Sequence, residues 1–158
     1  FNTYGPNITQ PYIIPEIVMQ VLGKNSKIHL GNINAERDFT FVSDTANGII
    51  KALFSKKAIG ETINLGSGKS YKIKNIVKLV SSILEKKVTI TSNKDRLRPF
   101  DVNKLVCDNR KAKKILNWEP KITFDEGLKN TIDWIKENDV ELRTPFRGWP
   151  KQYRKIRK

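Results

Sequence analysis

Short apolar segments that favour strands alternate along this chain with segments that favour amphipathic helices. Strands are predicted at 27–31, at 37–42 and at 87–91. Between them, apolar residues recur every three or four positions, which is the spacing of one helix face. No internal repeat is present. The alternation therefore predicts a fold of the α/β class.

The helical segments each carry an apolar face that we expect to lie in the core. Asp44 is placed to cap one of these helices, and Thr123 with Glu126 forms a capping box for the last one. The predicted helices, with their inner-face residues, are 9–22 (Ile13, Ile14, Ile17, Val18, Val21), one that follows Asp44 (Ala46, Ile49, Ile50, Leu53, Phe54), 73–84 (Ile73, Ile76, Val77, Val80, Ile83, Leu84), 109–116, and one that follows Thr123 (Leu128, Ile132, Ile135).

Strands that are buried on both faces are few in this sequence. Only 61–66 and the first residues, 1–5, have the apolar pattern of central strands, and two such strands do not make a parallel sheet. We therefore expect partner strands before Phe1, and a fragment that leaves Ile63 and Leu65 partly uncovered. The predicted organisation is one α/β unit over 1–140, the second half of a larger protein, followed by a basic tail at 141–158.

The net charge of +14 invites a nucleic-acid interpretation, but the charge is unevenly placed. Residues 141–158 hold seven Lys/Arg against one acidic residue and supply +6, while the preceding 140 residues supply +8. A basic nucleic-acid-binding module is therefore one hypothesis, which predicts a salt-dependent affinity that disappears with the tail. A second alternative hypothesis is that the chain is a non-catalytic interaction remnant.

The cysteine content and the length of the apolar runs indicate the cellular compartment of the protein. The single cysteine, Cys107, cannot form an internal disulfide, which is typical of a reducing compartment. No run approaches the ~20 apolar residues of a membrane span. We expect a cytoplasmic protein that contacts no membrane.

Several polar residues have the chemistry to bind a nucleoside diphosphate. The planar guanidinium of arginine suits a diphosphate, and Arg37 and Arg98 lie at the start of a strand and in a loop stiffened by proline. Asp101 offers a carboxylate for two ribose hydroxyls. Asn2 and Asn64 each lie near the end of a predicted buried strand, where ligands bind in open α/β sheets. Taken alone, each arginine is better explained as a surface ion-pair partner, and each Asn equally well as an ordinary turn residue.

Other candidate sites lack the required partners. The stretch "NLGSGKS" lacks the spacing of a phosphate-binding loop, so its glycines are assigned to a tight turn. His29, the only histidine, has no Cys or carboxylate partners at metal spacing, and no metal site is predicted.

Taken in order, seven strings resemble one family over about 140 residues. They are "FNTYGP", "IIP", "RDFTFVSDTANGI", "GETINLGSG", "RLRPFDVNKL", "DNRKAKKILNWEP" and "FDEGLKNTIDW". They resemble the C-terminal half of the extended short-chain dehydrogenases, the NAD-dependent nucleotide-sugar epimerases and dehydratases. The likeness is greatest to 4,6-dehydratases that act on UDP-N-acetylhexosamine or GDP-mannose type substrates.

This resemblance implies roles for particular residues. Arg37 and Arg98 match diphosphate-binding arginines, and Asp101 matches the partner of a ribose. Thr3 matches a position at the nicotinamide end of NAD. The remaining substrate-binding positions implied by the resemblance are Asn2, Asn64 and the strand Ile28, His29 and Leu30, whose backbone would lie along the nucleotide base.

The resemblance also implies what the whole enzyme would be. The fold expected is the C-terminal part of a Rossmann-type protein, with its last strands near 1–5 and 61–66 and a small α/β substrate-binding domain. The intact protein would be a homodimer that uses NAD rather than NADP in surface polysaccharide biosynthesis. The cofactor fingerprint and the catalytic Tyr-x-x-x-Lys pair are absent from this sequence and would precede Phe1, so no catalytic residue is assigned here. Asn117 stands where the family usually has Gly, which suits a residue of positive φ.

Overall fold

The computed structural model of the chain describes residues 1–8, 12–24, 26–93, 96–97 and 100–138. The predicted alternation of strands and helices is confirmed in this part of the chain, and the predicted basic tail lies outside it. The elements are β1 (Asn2–Tyr4), α1 (Ile13–Leu22), β2 (Lys27–Leu30), β3 (Glu36–Phe41), α2 (Val42–Leu53), a short 3₁₀ helix (Lys56–Ala58), β4 (Ser70–Lys72), α3 (Ile73–Ile83), β5 (Thr89–Ser92), β6 (Lys104–Leu105), α4 (Arg110–Leu116) and α5 (Phe124–Glu137).

Strand β3 organises the larger sheet because three other strands pair with it. β1 runs parallel to its carboxyl half, with Asn2 opposite Phe39. β4 is antiparallel and β6 parallel to its amino half, where Arg37 lies opposite both Tyr71 and Leu105. β2 and β5 form a separate two-stranded parallel sheet. Arg37 therefore lies where β3 pairs with β4 and β6, two strands that are distant from it in the sequence.

The main core is built from the inner faces predicted for α1, α3 and α5. Apolar residues at helical spacing on these helices are buried against β2 and the aromatic residues of β1 and β3. Burial of each such side chain stabilises the folded state by about 1.5–3 kcal/mol. Tyr4 and Phe124 lie in this core with ring centroids 5.5 Å apart. The fully buried helix residues include Ile17, Val18, Val21, Ile76, Val77, Val80, Leu128 and Ile132.

Two predicted helix signals near the C-terminal end of the described chain are present. The Thr123 side chain accepts a hydrogen bond from the backbone N–H of Glu126 at 3.3 Å, as an N-cap residue does. Asn117 has a φ of 48° at the end of α4, the left-handed conformation that Asn tolerates better than most residues. None of the described helices is long and apolar enough to cross a membrane.

The prediction that Asp44 caps a helix is wrong. Helix α2 begins at Val42, so Asp44 lies inside its first turn and is buried. Its carboxylate accepts hydrogen bonds from the backbone N–H groups of Lys121 and Ile122, both at 3.0 Å. Its carbonyl accepts a bond from the indole of Trp118. Asp44 therefore holds the segment before α5 against α2, a long-range role that the local sequence does not indicate.

The predicted inner face of α2 is also wrong. Ile49, Ile50, Leu53 and Phe54 are exposed, and the buried residues of the helix are Asp44 and Gly48. The helix approaches the rest of the chain through Gly48, where an added Cβ would lie 2.7 Å from a methyl group of Leu65. These apolar residues do recur at helical spacing, as predicted, but no part of the described chain covers the face that they form.

The strand predicted at 61–66 is not formed in this structure. These residues belong to no sheet of the described chain, although the N-terminal amine of Phe1 donates to the carbonyl of Leu65 at 3.4 Å. Ile63 and Leu65 are instead half-buried against a small cluster that contains Trp118. At the chain start only Tyr4 of β1 is buried, and Asn2 is exposed. The assignment of either segment to a cofactor-binding sheet stays a prediction.

Candidate active site

A cavity of about 720 Å³ lies between β1, the first turn of α1, the end of β2 and the start of β3. Its size is in the range of cavities that hold small-molecule ligands. Polar residues that the sequence analysis selected lie on its wall beside apolar ones. The predicted site residues among its lining are Asn2, Thr3, Leu30, Arg37 and Asp101.

Arg37 and Asp101 form an ion pair in this wall. An Nη2 hydrogen of Arg37 is donated to Oδ1 of Asp101 at 2.5 Å, and Nη1 donates to the carbonyls of Glu36 and Val102 at 2.8 and 2.6 Å. The two side chains are 14% and 16% exposed. These bonds use three of the five N–H groups of the guanidinium, and the other two have no hydrogen bond among the described residues. Asn32 holds the other oxygen of Asp101 at 3.0 Å.

The residues of β1 are held by contacts with β3 and α2. Asn2 donates from Nδ2 to the carbonyl of Asp38 at 2.8 Å, and the hydroxyls of Thr3 and Thr45 are 3.1 Å apart. Tyr4 is buried and donates to the carbonyl of Phe124. Burial, together with the nearby Tyr71 and acidic side chains, raises the pKa of Tyr4 far above its usual value. Tyr4 therefore remains protonated as a structural donor, and it does not have the properties of a catalytic base.

Strand β2 borders the cavity only at its last residue. Ile28 and Leu30 point into the core, and of the predicted stretch only Leu30 borders the cavity. The exposed His29 has its backbone N–H and carbonyl bonded to the carboxamide of Gln20, at 2.7 and 3.0 Å. The His29 backbone is therefore bonded to Gln20, and the role assigned to Ile28, His29 and Leu30 beside a nucleotide base stays a prediction.

Two further predicted contacts are not among the described residues that line this cavity. Asn64 is exposed in the segment 61–67 and is not part of the cavity lining, because that segment packs towards α4 instead. Arg98 lies outside the described residues. The roles assigned to both stay predictions.

The sequence analysis missed an ion pair in the cavity wall. Arg96 donates from Nη1 to Oε1 of Glu16 at 2.7 Å, and both residues line the cavity together with Asn32. A signal was available, since Glu16 is the only acidic residue of the largely apolar helix α1. With Arg37 and Asp101, the described wall thus holds two arginines and two carboxylates, so the overall charge of +14 is not concentrated here.

The glycine-rich turn after residue 65 binds an internal carboxylate. Asp38 is buried and accepts hydrogen bonds from the backbone N–H groups of Ser67 and Gly68, both at 2.8 Å, and from that of Cys107 at 3.0 Å. Burial and the Asp38 carboxylate raise the pKa of the Cys107 thiol to about 11. Because these N–H groups already have an acceptor, this turn does not fit the pyrophosphate of a dinucleotide.

Proteins of known structure and sequence resemble the chain over most of its length. It is 36% identical over 146 residues to the UDP-glucuronate 4-epimerase of Thermodesulfobacterium geofontis, a match that covers 90% of this chain and 43% of that protein. The UDP-glucuronic acid 4-epimerase of Bacillus cereus, solved with UDP-glucuronic acid and NAD, gives a TM-score of 0.79 at 29% identity. The dTDP-glucose 4,6-dehydratase of Bacillus anthracis, solved with NAD, gives 0.75 at 27%.

These comparisons place the chain in the C-terminal part of a larger fold. Each structural match covers 87% of this chain but only 43% of the solved protein, so the chain spans less than half the length of its relatives. The sequence model named GDP-mannose 4,6 dehydratase matches residues 1–131. The chain therefore belongs to the GDP-mannose 4,6 dehydratase family, within the NAD-dependent epimerases and dehydratases of the extended short-chain dehydrogenase fold.

Proposed function

We propose that the chain is the nucleotide-sugar-binding portion of an NAD-dependent nucleotide-sugar 4,6-dehydratase or epimerase. The observation that carries this proposal is the Arg37–Asp101 pair in the wall of the cavity. It combines a planar cation, which suits a diphosphate, with a carboxylate that accepts hydrogen bonds from ribose hydroxyls.

Neighbouring residues of the cavity wall add to this chemistry. Asn2 and Thr3, on β1, would provide an amide and a hydroxyl for the sugar and for the nicotinamide end of the cofactor. Leu30 would provide an apolar surface for a base. Arg98, which follows the described residue Leu97, is proposed as a second cation for the diphosphate, and Asn64 as a further sugar contact in the intact enzyme.

Binding, and not the chemical step, is the role proposed for these residues. The 158-residue sequence contains neither the cofactor fingerprint nor a Tyr-x-x-x-Lys pair, and the Asp38-bound turn does not fit a pyrophosphate. We propose that NAD is held mainly by a cofactor-binding half, that this half also supplies the catalytic base, and that the chain alone is inactive. A homodimer in the cytoplasm, active in surface polysaccharide biosynthesis, is proposed for the whole enzyme on the basis of the family resemblance.

The nucleic-acid alternative receives no support from the relatives described above. Those relatives are nucleotide-sugar enzymes, and the described cavity pairs each of its arginines with a carboxylate. The basic tail that motivated this alternative lies outside the described residues.

Calorimetric titration of the 158-residue chain with UDP-glucose, GDP-mannose and inorganic pyrophosphate tests the proposal. At least one nucleotide sugar should bind more tightly than pyrophosphate at low salt and retain most of its affinity at high salt, because ribose and base contacts are not screened. Attraction to a basic surface alone would rank ligands by charge, and all affinities would decrease together with salt. Equal binding of pyrophosphate and both sugars at every salt concentration would reject the proposed site.

A further inference from the structure

Asn32 lies in the cavity wall beside the Arg37–Asp101 pair. Its Nδ2 donates to Oδ2 of Asp101 at 3.0 Å, and its Oδ1 accepts a hydrogen bond from the backbone N–H of Asn34 at 3.2 Å. Both ends of the carboxamide are therefore engaged, and only one orientation of the amide satisfies both bonds. Because Arg37 donates to Oδ1 of Asp101, each oxygen of this carboxylate has its own donor.

This division of the two oxygens leaves hydrogen-bonding capacity on both members of the ion pair. An ionised carboxylate has about four acceptor positions, two on each oxygen, and Arg37 and Asn32 occupy one on each. One position on either oxygen of Asp101 therefore has no donor among the described residues. On the guanidinium, two N–H groups likewise have no acceptor in this part of the chain.

We propose that Asn32 is a positioning residue that keeps the Arg37–Asp101 pair open for a ribonucleotide. This inference rests on the proposed function, in which Arg37 binds the diphosphate and Asp101 the ribose. By holding Oδ2, Asn32 limits the pair to a single hydrogen bond. Asp101 then keeps one acceptor position on each oxygen for the two adjacent hydroxyls of a ribose, and Arg37 keeps N–H groups for a phosphate.

Loss of the Asn32 amide would change the geometry of the pair. An arginine and a carboxylate pair most strongly through two parallel hydrogen bonds, one to each oxygen. With Oδ2 released, Asp101 would be able to turn and accept the second bond from Arg37. The two side chains would then satisfy each other, and both would bind a nucleotide less well.

The alternative is that Asn32 only attaches the segment of Asp101 to the end of β2. That segment has other attachments, since Arg37 donates to the carbonyl of Val102 at 2.6 Å and the backbone N–H of Glu36 donates to the carbonyl of Asn103 at 2.7 Å. Both remain when the side chain of Asn32 is changed. A purely structural role would weaken all ligands alike, whereas positioning predicts a selective loss for ligands that carry a 2′-hydroxyl.

Calorimetric titration of the 158-residue chain with UDP and GDP, each compared with its 2′-deoxy counterpart, tests this inference. The chain should bind the tighter ribonucleotide about tenfold more strongly than its deoxy form, because the deoxy form loses one hydrogen bond to a charged acceptor. Asn32→Leu, which is similar in size but cannot donate, should reduce this ratio to about twofold or less. Asn34→Leu is the matched control and should keep the ratio, because the Asn34 side chain is exposed and makes no hydrogen bond within the described chain.

Asn32→Asp provides a readout that a structural role alone would not move. When protonated, the introduced carboxyl group can donate to Asp101 as the amide does, and when ionised it repels Asp101. The ratio of ribonucleotide to deoxyribonucleotide affinity should therefore be high near pH 5 and be lost near pH 8. Titration of the diphosphate itself cancels in this ratio, because both ligands carry the same group.

Asn34→Asp is the control for this pH series. Besides Arg37, the cavity wall carries the charged groups of Glu16 and Arg96, and any effect of these groups is common to both variants. With Asn34→Asp the ratio should stay high throughout. Circular dichroism reports whether each variant is folded, and if Asn32→Leu does not fold, the pH series of Asn32→Asp decides the question.

The outcomes separate this inference from the proposed function. A ratio that stays as high in Asn32→Leu as in Asn34→Leu, or that does not change with pH in Asn32→Asp, would overturn the positioning role and leave a nucleotide site in place. Equal binding of ribonucleotides and deoxyribonucleotides by the unchanged chain would also overturn it. Binding of UDP and GDP that is no tighter than that of inorganic pyrophosphate would overturn the proposed function, and this inference with it.

Discussion

The carboxylate of Asp38 accepts a hydrogen bond from the hydroxyl of Ser67 at 2.6 Å, and it joins strand β3 to the glycine-rich turn. Asp38 is 0% exposed, and its other hydrogen bonds come from backbone N–H groups. A buried carboxylate is tolerated because each of its oxygens has donors. A turn that superficially resembles a phosphate-binding loop is therefore an internal structural contact.

We expect Asp38→Asn to reduce the free energy of unfolding by about 2–4 kcal/mol. The amide group would point hydrogen atoms at backbone donors that now bond to oxygen, which leaves buried groups unpaired. Urea denaturation followed by circular dichroism measures the effect. Asp108→Asn is the control, because Asp108 is exposed and pairs with Arg110 at the surface, where the change in stability should be small. Equal effects of the two variants would contradict the structural role of Asp38.

The Cys107 thiol should be unreactive at neutral pH. Its pKa is raised to about 11 by burial and by the Asp38 carboxylate, and only the thiolate reacts with a disulfide reagent. The labelling rate of the native chain at pH 8 should therefore be low, rise with pH towards 11, and become fast in denaturant. Because Cys107 is the only cysteine, the label reports on this site alone. Rapid labelling of the folded chain at pH 8 would show that the thiol is accessible and ionised.

Local patterns in the sequence predicted the elements well but not their long-range partners. The inner faces of α1, α3 and α5 were predicted because periodicity is a local property. Asp44 was misassigned because its carboxylate bonds residues 77 and 78 positions away.

The same limit applies to the candidate site. Arg37 and Asp101 were each selected for their chemistry, yet their ion pair depends on β6 lying beside β3, a pairing that spans more than 60 residues. The Glu16–Arg96 pair was missed because its two residues are also far apart in the sequence. Periodicity also cannot indicate whether an apolar helix face is covered, as α2 demonstrates.

The exposed apolar face of α2 should make the chain self-associate or bind a hydrophobic dye. Leu53 is 76% and Phe54 81% exposed, which is unusual for side chains that lie next to each other with other apolar residues. Leu53→Ser should reduce dye binding and change stability by less than about 1 kcal/mol, since the side chain buries little area. The same substitution at the fully buried Leu128 should cost about 2–5 kcal/mol. A strictly monomeric chain that binds no dye would contradict the exposure of this face.

Arg37 can be tested against a second ion-paired arginine, Arg110, that lies outside the cavity. Both form an ion pair with an aspartate, but Arg37 lines the cavity, whereas Arg110 is 89% exposed on α4. Replacing either by Ala removes the same charge from a chain of +14. A difference between the variants therefore reports on the cavity and not on overall electrostatics.

We expect Arg37→Ala to weaken the binding of a nucleotide sugar by about 2–4 kcal/mol, because a phosphate loses a bidentate donor and Asp101 is left as an unpaired negative charge beside it. Arg37→Lys should restore only part of this affinity, since the planar fork is lost. Adding Asp101→Asn to Arg37→Ala should recover part of the loss by removing the repulsion. Calorimetry at low and high salt measures each dissociation constant. Arg110→Ala should change the affinity slightly and only at low salt; if it weakens binding as much as Arg37→Ala does, Arg37 is not part of the binding site.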